Sequence, residues 1–453
     1  MYFIYSVSIH ANGCQMSEDL QDALSSGPRT AAELQATLGI SQPTLSRLLA
    51  TRVAEVCRLG RARATRYGWR RRVNGLAPSQ PLYRVTHAGQ VTRIGTLQVL
   101  QGGFWFDDIE QPVASQWFDG LPWFLADMRL QGFLGQRFVR QLAGMGLPEN
   151  LGDWQDDHAL VALAYRGEDA LGNLILGDVS LTRWQETAGG DVIALTDRAT
   201  HYPRLAQAAL AGEATGSSAG GEQPKFTAMV DEHAPCAVIV KFSEAISSGV
   251  GRRWADLLIA EHHALTIMAA AGQPAAQTEI LEAGDRVFLQ ARRFDREGLR
   301  GRSGLISLGA IDDEFVGRRQ SWLDTAEALV QQRRLSPQSL ARVAWQQAFA
   351  MLIGNTDRHF GNLSVCYEGR WPAEVAPAYD MLPMLDAPVR GELPERAFAP
   401  LLPLICGEAI ARDAAAVAVR FWQRVAEDAR ISSAYRAMAV ERVHLVAACM
   451  AAQ

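Results

Sequence analysis

Lysine is nearly absent from this chain. Of its 44 basic residues only Lys225 and Lys241 are lysine, which leaves 42 arginines. Arginine serves wherever positive charge is enough, so a surviving lysine points to a site that needs a compact charge on a flexible stem. Chance placement is the competing account, and the neighbourhood of each lysine decides between them. Cysteine is sparse as well. Cys14, Cys57, Cys236, Cys366, Cys406 and Cys449 are widely scattered with no C-x-x-C pair, a pattern of reduced thiols rather than a disulfide frame or a zinc site. No apolar run approaches the ~18 residues of a membrane span. The apolar stretch Tyr2–Ile9 is short, has no basic residues before it and no clear cleavage site. The expectation is a soluble, cytoplasmic protein with no membrane partner.

A length of 453 residues, 48% apolar and 21% charged, predicts two or three globular domains. The net charge of -5 says little, but arginines crowd one short segment. Residues 18–50 read as three short helices. Ser17-Glu18-Asp19 opens the first, the Thr30–Glu33 capping box the second, and Ser41 the third. The Leu38-Gly39-Ile40 turn makes the last two a helix-turn-helix. Arg58, Arg61, Arg63, Arg66, Arg70, Arg71 and Arg72 follow, alternating with small and apolar residues, as on one face of a winged hairpin. DNA binding through Arg47, Arg61, Arg63 and Arg66 is the reading this supports, against a protein-docking helical module. Period-2 stretches begin near residue 80, and helical periodicity dominates after about 320. The expected domains are 1–75 (winged helix-turn-helix), 80–295 (strand-rich lobe) and 296–453 (helical lobe).

Three segments carry chemistry. The Gly/Ser-rich stretch from Thr215 to Lys225, with Ser217, Ser218, Gly220 and Gly221, leaves backbone N–H groups free to close on phosphate oxygens, although a plain surface turn has the same composition. In Ala237–Phe242 a lone lysine, Lys241, sits within an apolar strand, which is costly unless it is paired. Glu261, on the following helical stretch, is the natural partner. The third segment holds Asp357, His359 and Asn362 directly after an apolar helix, with Asp380 beyond. Phosphoryl transfer needs a carboxylate to orient the attacking hydroxyl and oxygen ligands for magnesium, and this spacing supplies both. Loop polarity alone is the bland alternative, but the elements occur in kinase order: loop, lysine, glutamate, Asp…Asn, Asp.

These residues resemble the HipA family of bacterial serine/threonine kinases, toxins of toxin–antitoxin systems, over about residues 80–450. The resemblance rests on Gly120–Asp127, Gly167–Gly172, the loop Ser218–Lys225, Arg293–Arg296, Asn355–Asn362 and Tyr379-Asp380. It implies an α+β fold class: a two-lobed protein-kinase-like fold of HipA type, preceded here by a small winged helix-turn-helix domain. It further implies ATP and Mg2+ as cofactors, with Asp357 as catalytic base and Asn362 and Asp380 as metal ligands. Lys241 and His359 would contact the phosphates, and backbone groups around Arg292 and Phe294 would receive adenine. Ser218 falls at the autophosphorylation position, with Ser217 a second candidate, and a phosphate there would act as an off-switch. A translation-related protein such as an aminoacyl-tRNA synthetase is the implied substrate, and a homodimer is an open option. Two departures stand out. Residues 304–320 do not match the usual segment after the hinge, and the DNA-binding module is fused rather than a separate antitoxin. The readings weighed against an active protein kinase are a transcription regulator with a kinase-like ligand-sensing half and a small-molecule kinase of the aminoglycoside phosphotransferase type.

Overall fold

The computed structural model describes residues 16–142, 144–187, 191–211 and 223–451. The N-terminal unit contains α1 (residues 16–23), β1 (Arg29–Thr30), α2 (Ala31–Leu38), α3 (Gln42–Thr51), β2 (Val56–Leu59) and β3 (Arg66–Trp69). Thr30 caps α2 through both halves of a capping box, and Gly39 ends it at φ +64, a left-handed conformation that glycine adopts without strain. α3 begins two residues later behind Ser41. Leu20, Leu24, Leu34, Leu45, Leu48, Val56 and Trp69 close the small core. α2 and α3 thus meet at a tight turn, and β2 pairs with β3 as an antiparallel hairpin, called the wing below.

The wing differs from expectation at its base. Arg71 does not join the solvent-facing arginines. Its guanidinium pairs with Asp157 and its Nε donates to the Leu100 carbonyl at 3.2 Å. It lies where the wing runs into the next sheet, with Gln101 N–H donating to Trp69 O and Arg71 N–H to Val99 O. Cys57 and Leu59 pack against Leu100 and Trp105, which fixes the wing to its neighbour by apolar burial as well.

The stretch expected as one strand-rich lobe, 80–295, holds two separate five-stranded sheets. The first runs β7-β6-β5-β4-β8, built from β4 (Ser79–Val85), β5 (Val91–Leu100), β6 (Gly103–Asp108), β7 (Gln116–Phe118) and β8 (Leu174–Leu176). Around it lie α4 (Trp123–Ala126), α5 (Gly132–Phe138), α6 (Asp156–Arg166) and α7 (Asp178–Thr187). The second runs β12-β13-β11-β10-β9 and comprises β9 (Val192–Ala194), β10 (Lys225–Asp231), β11 (Pro235–Phe242), β12 (Thr278–Ala283) and β13 (Arg286–Arg292). Its neighbours are α8 (Arg198–Ala211) and α9 (Gly249–Ala270). Strand alternation serves both sides of this sheet. Val238, Val240, Phe242 and Phe288 pack with Tyr202 of α8, while Val287 and Leu289 pack with α9. Lys241, out of phase with its valine neighbours, therefore faces the α9 side.

After the short hairpin β14 (Arg296–Glu297) and β15 (Gly301–Arg302) comes the helical half. It holds α10 (Leu308–Phe315), α11 (Trp322–Gln331), α12 (Pro337–Leu352), α13 (Glu408–Glu427) and α14 (Ser433–Ala451). A small sheet of β16 (Leu305–Ser307), β17 (Ser364–Cys366) and β18 (Glu374–Val375) lies between the α12 end and the long irregular stretch up to α13. Phe349, Phe421 and Trp422 anchor a core that continues into α9 and so joins the two halves.

Candidate functional site

The site lies where the second sheet meets the helical half. β10 and β11 are antiparallel neighbours whose register places Lys225 directly opposite Lys241. The two lysines of the chain thus stand side by side on one sheet face. Glu261 sits on the buried stripe of α9 that also carries Leu257, Leu265 and Met268. Lys241 Nζ donates to both oxygens of Glu261, at 2.6 and 2.8 Å, and also to Asp380 Oδ1. Lys241 is 7% exposed and Glu261 2%, so this is charge held inside the protein, tolerable only because the partners meet.

The shifts follow from that arrangement. Burial works against the Lys241 ammonium, yet Asp380 and Glu261 outweigh it and hold its pKa above the ordinary lysine value. Burial raises the Glu261 carboxyl. At Asp380 burial acts upward, but Lys241 and Lys225 prevail and its carboxyl lies below the ordinary value. Lys225 goes the other way: burial, countered by Asp380 and reinforced by Lys241, brings it down to about 8.

The second half of the site is one loop between α12 and β17. Gly354 at φ +73 ends the helix at a point where a Cβ would crowd the Phe398 ring, and Asn355 N–H returns to Ala350 O. The buried Asn355 then ties the site together. Its Oδ1 accepts from Asp357 N–H at 3.0 Å, and its Nδ2 reaches the Asp380 carbonyl at 3.4 Å. Asn362 Nδ2 donates to the Asp357 carbonyl at 2.9 Å, closing the loop on itself. Asp357 and His359 are exposed, and Asn362 is buried. His359 lies close enough to Asp380 to help depress its carboxyl. Asp380 holds a left-handed backbone, φ +52, unusual for a residue other than glycine and typical of a constrained functional position. Just before it, Ala378 pairs with the segment leaving α9, which brings Asp380 beneath the helix that carries Glu261.

Lys225, Lys241, Glu261, Asp357, His359, Asn362 and Asp380 are thus gathered from both halves of the chain. Arg292 is exposed at the end of β13, and the Phe294 ring lies tilted at 40° with its centroid 6.0 Å from that of Tyr379, the neighbour of Asp380. Ser217, Ser218, Gly220 and Gly221 lie outside the described residues. Arg47 on α3 and Arg61, Arg63 and Arg66 on the wing are all exposed, and Arg66 also donates to Pro28 O at 3.4 Å. Two contributors carry no role in the sequence reading. Asn355 enters the sequence reading only as the first residue of the Asn355–Asn362 motif. Tyr379, whose hydroxyl donates to Gly361 O at 2.7 Å, was visible only as the residue before Asp380.

The carboxylate of Asp380 and the amide oxygen of Asn362 are the hard oxygen donors that Mg2+ selects. Among the described residues no cluster of three His, Cys, Asp or Glu side chains could hold a metal by itself. That is compatible with an ion completed by phosphate oxygens and water. Also among the described residues, no helix is long and apolar enough to cross a membrane.

Comparison with known proteins agrees with this architecture. A family model described as HipA-like C-terminal domain matches residues 217–449, and one described as YjjJ-like toxin, middle domain, matches residues 76–185. Toxin YjjJ of Escherichia coli (strain K12) is 40% identical over 436 residues, covering 94% of this chain and 96% of that protein. Among solved structures, HipA of Shewanella oneidensis MR-1, in a complex with HipB and its operator DNA, matches with a TM-score of 0.54 at 14% identity. That match covers 83% of this chain and 100% of the other. At that identity the likeness speaks for the fold alone, which is kinase-like.

Proposed function

From the premise that the chain belongs to the HipA-like toxin family, we propose that it is an ATP-dependent serine/threonine protein kinase whose N-terminal domain binds DNA. The observation that carries the enzymatic part is the buried group Lys225, Lys241 and Glu261 meeting half-buried Asp380, which is tied to the Asn355–Asn362 loop through Asn355. When bound, Mg2+-ATP supplies the transferable phosphoryl group, with its charge partly neutralised by the metal. Asp380 and Asn362 would hold the ion. The two ammonium groups draw the triphosphate into the cleft, and Glu261 keeps Lys241 aimed at it. His359 stands beside Asp380 as a further phosphate contact, and the backbone around Arg292 and Phe294 receives the base. Asp357, exposed at the mouth and fixed by Asn355, orients the substrate hydroxyl and takes its proton.

A protein substrate connected with translation, such as an aminoacyl-tRNA synthetase, and a cytoplasmic location belong to the same reading. So does autophosphorylation at Ser218 or Ser217, which would place negative charge beside the triphosphate and restrain the enzyme. The exposed Arg47, Arg61, Arg63 and Arg66 support DNA binding, through which the protein would regulate its own promoter or restrain its kinase. Purified protein given labelled ATP should label itself, with the signal lost in Asp357→Ala and in Asp380→Ala. Labelling that survives both changes overturns the enzymatic reading. ATP binding without transfer would instead favour a DNA-binding regulator with a ligand-sensing half.

A further inference from the structure

Two stretches that resemble family motifs, Gly167–Gly172 and Arg293–Arg296, have no role in the site as described, yet they meet. Arg293, buried one residue beyond β13, grips Asp295 with Nε and Nη2, both at 2.9 Å, and Asp169 with Nη1 at 3.0 Å. Arg296 donates to Asp295 at 2.6 Å, to Gly172 O at 2.9 Å and to Ala170 O at 2.7 Å. Gly172 N–H returns to Asp295 Oδ2 at 3.1 Å. Arg302 donates to the Glu168 carbonyl. The loop between α6 and β8 is thus held by three arginines of the hinge segment. Burial would raise the Asp295 carboxyl, but Arg293 and Arg296 prevail and keep it ionised.

The location gives this lattice a use. Residues 292–294 are where the chain leaves the second sheet for the helical half. On the sheet side, Arg293 N–H is already fixed to Ala237 O at 2.9 Å. On the other side the only carboxylate that the first sheet's unit contributes to the Arg293 side chain, among the described residues, is Asp169. Resting on the nucleotide-binding reading above, we infer that Asp169 is a positioning residue for base recognition: it braces Arg293 from the unit of the first sheet and so sets the backbone edge at residues 292–294 that meets the adenine. Asp169 touches no reacting atom; it acts through Arg293 at 3.0 Å, with a second, longer contact to Arg296 at 3.3 Å. Removing it leaves Arg293 its two-pronged grip on Asp295, so the guanidinium is not stranded and the chain still folds.

The test separates base from phosphate. The full chain with Mg2+ is titrated with a non-hydrolysable ATP analogue and, separately, with inorganic tripolyphosphate, which can reach Lys225, Lys241 and Asp380 but has no base. Asp169→Asn should weaken the analogue about tenfold and leave tripolyphosphate affinity and melting temperature unchanged, and Asp169→Glu should recover part of the loss. Asp156→Asn, which breaks an equally local ion pair with Arg129 away from the hinge, should alter neither ligand. Equal weakening of both ligands by Asp169→Asn, or none, overturns the brace. Wild-type protein that binds neither ligand would instead sink the nucleotide reading and the brace with it, a distinct result.

Discussion

In the cleft, two ammonium groups lie below the surface with Glu261 and Asp380 around them, while on the wing Arg58, Arg61, Arg63 and Arg66 stand in solvent on a hairpin. Desolvation explains the contrast. An ammonium withdrawn from water must meet a carboxylate, so each buried charge fixes its partner and its place in the fold. A solvated guanidinium has no such obligation and stays available for a phosphate from outside. Removing charge from the two regions should therefore fail in different ways, in the cleft by loss of folding stability and chemistry together, on the wing by loss of binding alone.

The largest effect belongs to Lys241→Met. Glu261 and Asp380 would face each other without the cation between them, at a cost of about 3–5 kcal/mol in urea unfolding, with phosphoryl transfer abolished. Adding Glu261→Leu should restore much of the stability and none of the activity. A single variant that loses under ~1 kcal/mol would show that the cleft pair is as loosely held as a surface one.

Next comes Arg61→Gln with Arg63→Gln and Arg66→Gln. If each arginine neutralises one phosphate, the log–log salt dependence of duplex binding becomes shallower by about 2.7, and affinity near ~0.1 M salt falls roughly a hundredfold. Melting temperature should hold. Arg71→Gln is the contrasting case within the same stretch of sequence. It should lower stability through loss of Asp157 and leave the salt slope as it was. A triple variant that keeps its slope would remove the wing from the proposed DNA-binding surface.

Why Arg61 and Arg71 look alike in sequence and behave differently in the fold shows what a sequence can reveal. Local signals were readable: the Thr30 capping box, the Gly39 turn, the α12 end at Gly354, and the Lys241 strand with its helix glutamate. Each is decided within a few residues or by the cost of an unpaired charge. Composition helped because two lysines among 42 arginines made both of them visible. The readings that fell short all depended on distant partners. Arg71 meets Asp157, Arg293 meets Asp169, and β8 joins β4 across about ninety residues. Alternating apolar residues announce a strand but not its sheet, so one strand-rich stretch concealed two sheets.

A smaller effect sharpens the contrast by pH. Burial, countered by Asp380 and reinforced by Lys241, brings the Lys225 ammonium from 10.5 down to about 8. Below pH 8 both the folded and the unfolded chain hold this proton, and the cost of burying the charge is fully present. Between about 8 and 10.5 the unfolded chain keeps the proton and the folded one has lost it, so this group makes stability rise with pH across that window. Triphosphate affinity should move oppositely, falling by up to about tenfold per unit above pH 8 as the cation is lost. Tripolyphosphate titrations on either side of that pH should show the fall in the wild type and a flat response in Lys225→Met. The wing, all arginine, should show no such dependence.

The smallest effect lies between the two regimes, at the start of α9. Ser248 is exposed like the wing arginines, yet its hydroxyl accepts from Gly251 N–H at 2.9 Å and so begins the 22-residue helix that delivers Glu261 to Lys241. Losing a cap of this kind costs about 1 kcal/mol, so Ser248→Ala should lower unfolding free energy by that much, while Ser248→Asp, which keeps an acceptor and favours the helix dipole, should not. Glu261 lies more than three helical turns further on, within a core of Leu257, Leu258, Leu265 and Met268 that frayed first-turn backbone does not disturb. Nucleotide affinity in Ser248→Ala should accordingly match the wild type. A loss of affinity larger than the loss of stability would mean that the helix start, and not its buried stripe, sets the aim of Glu261.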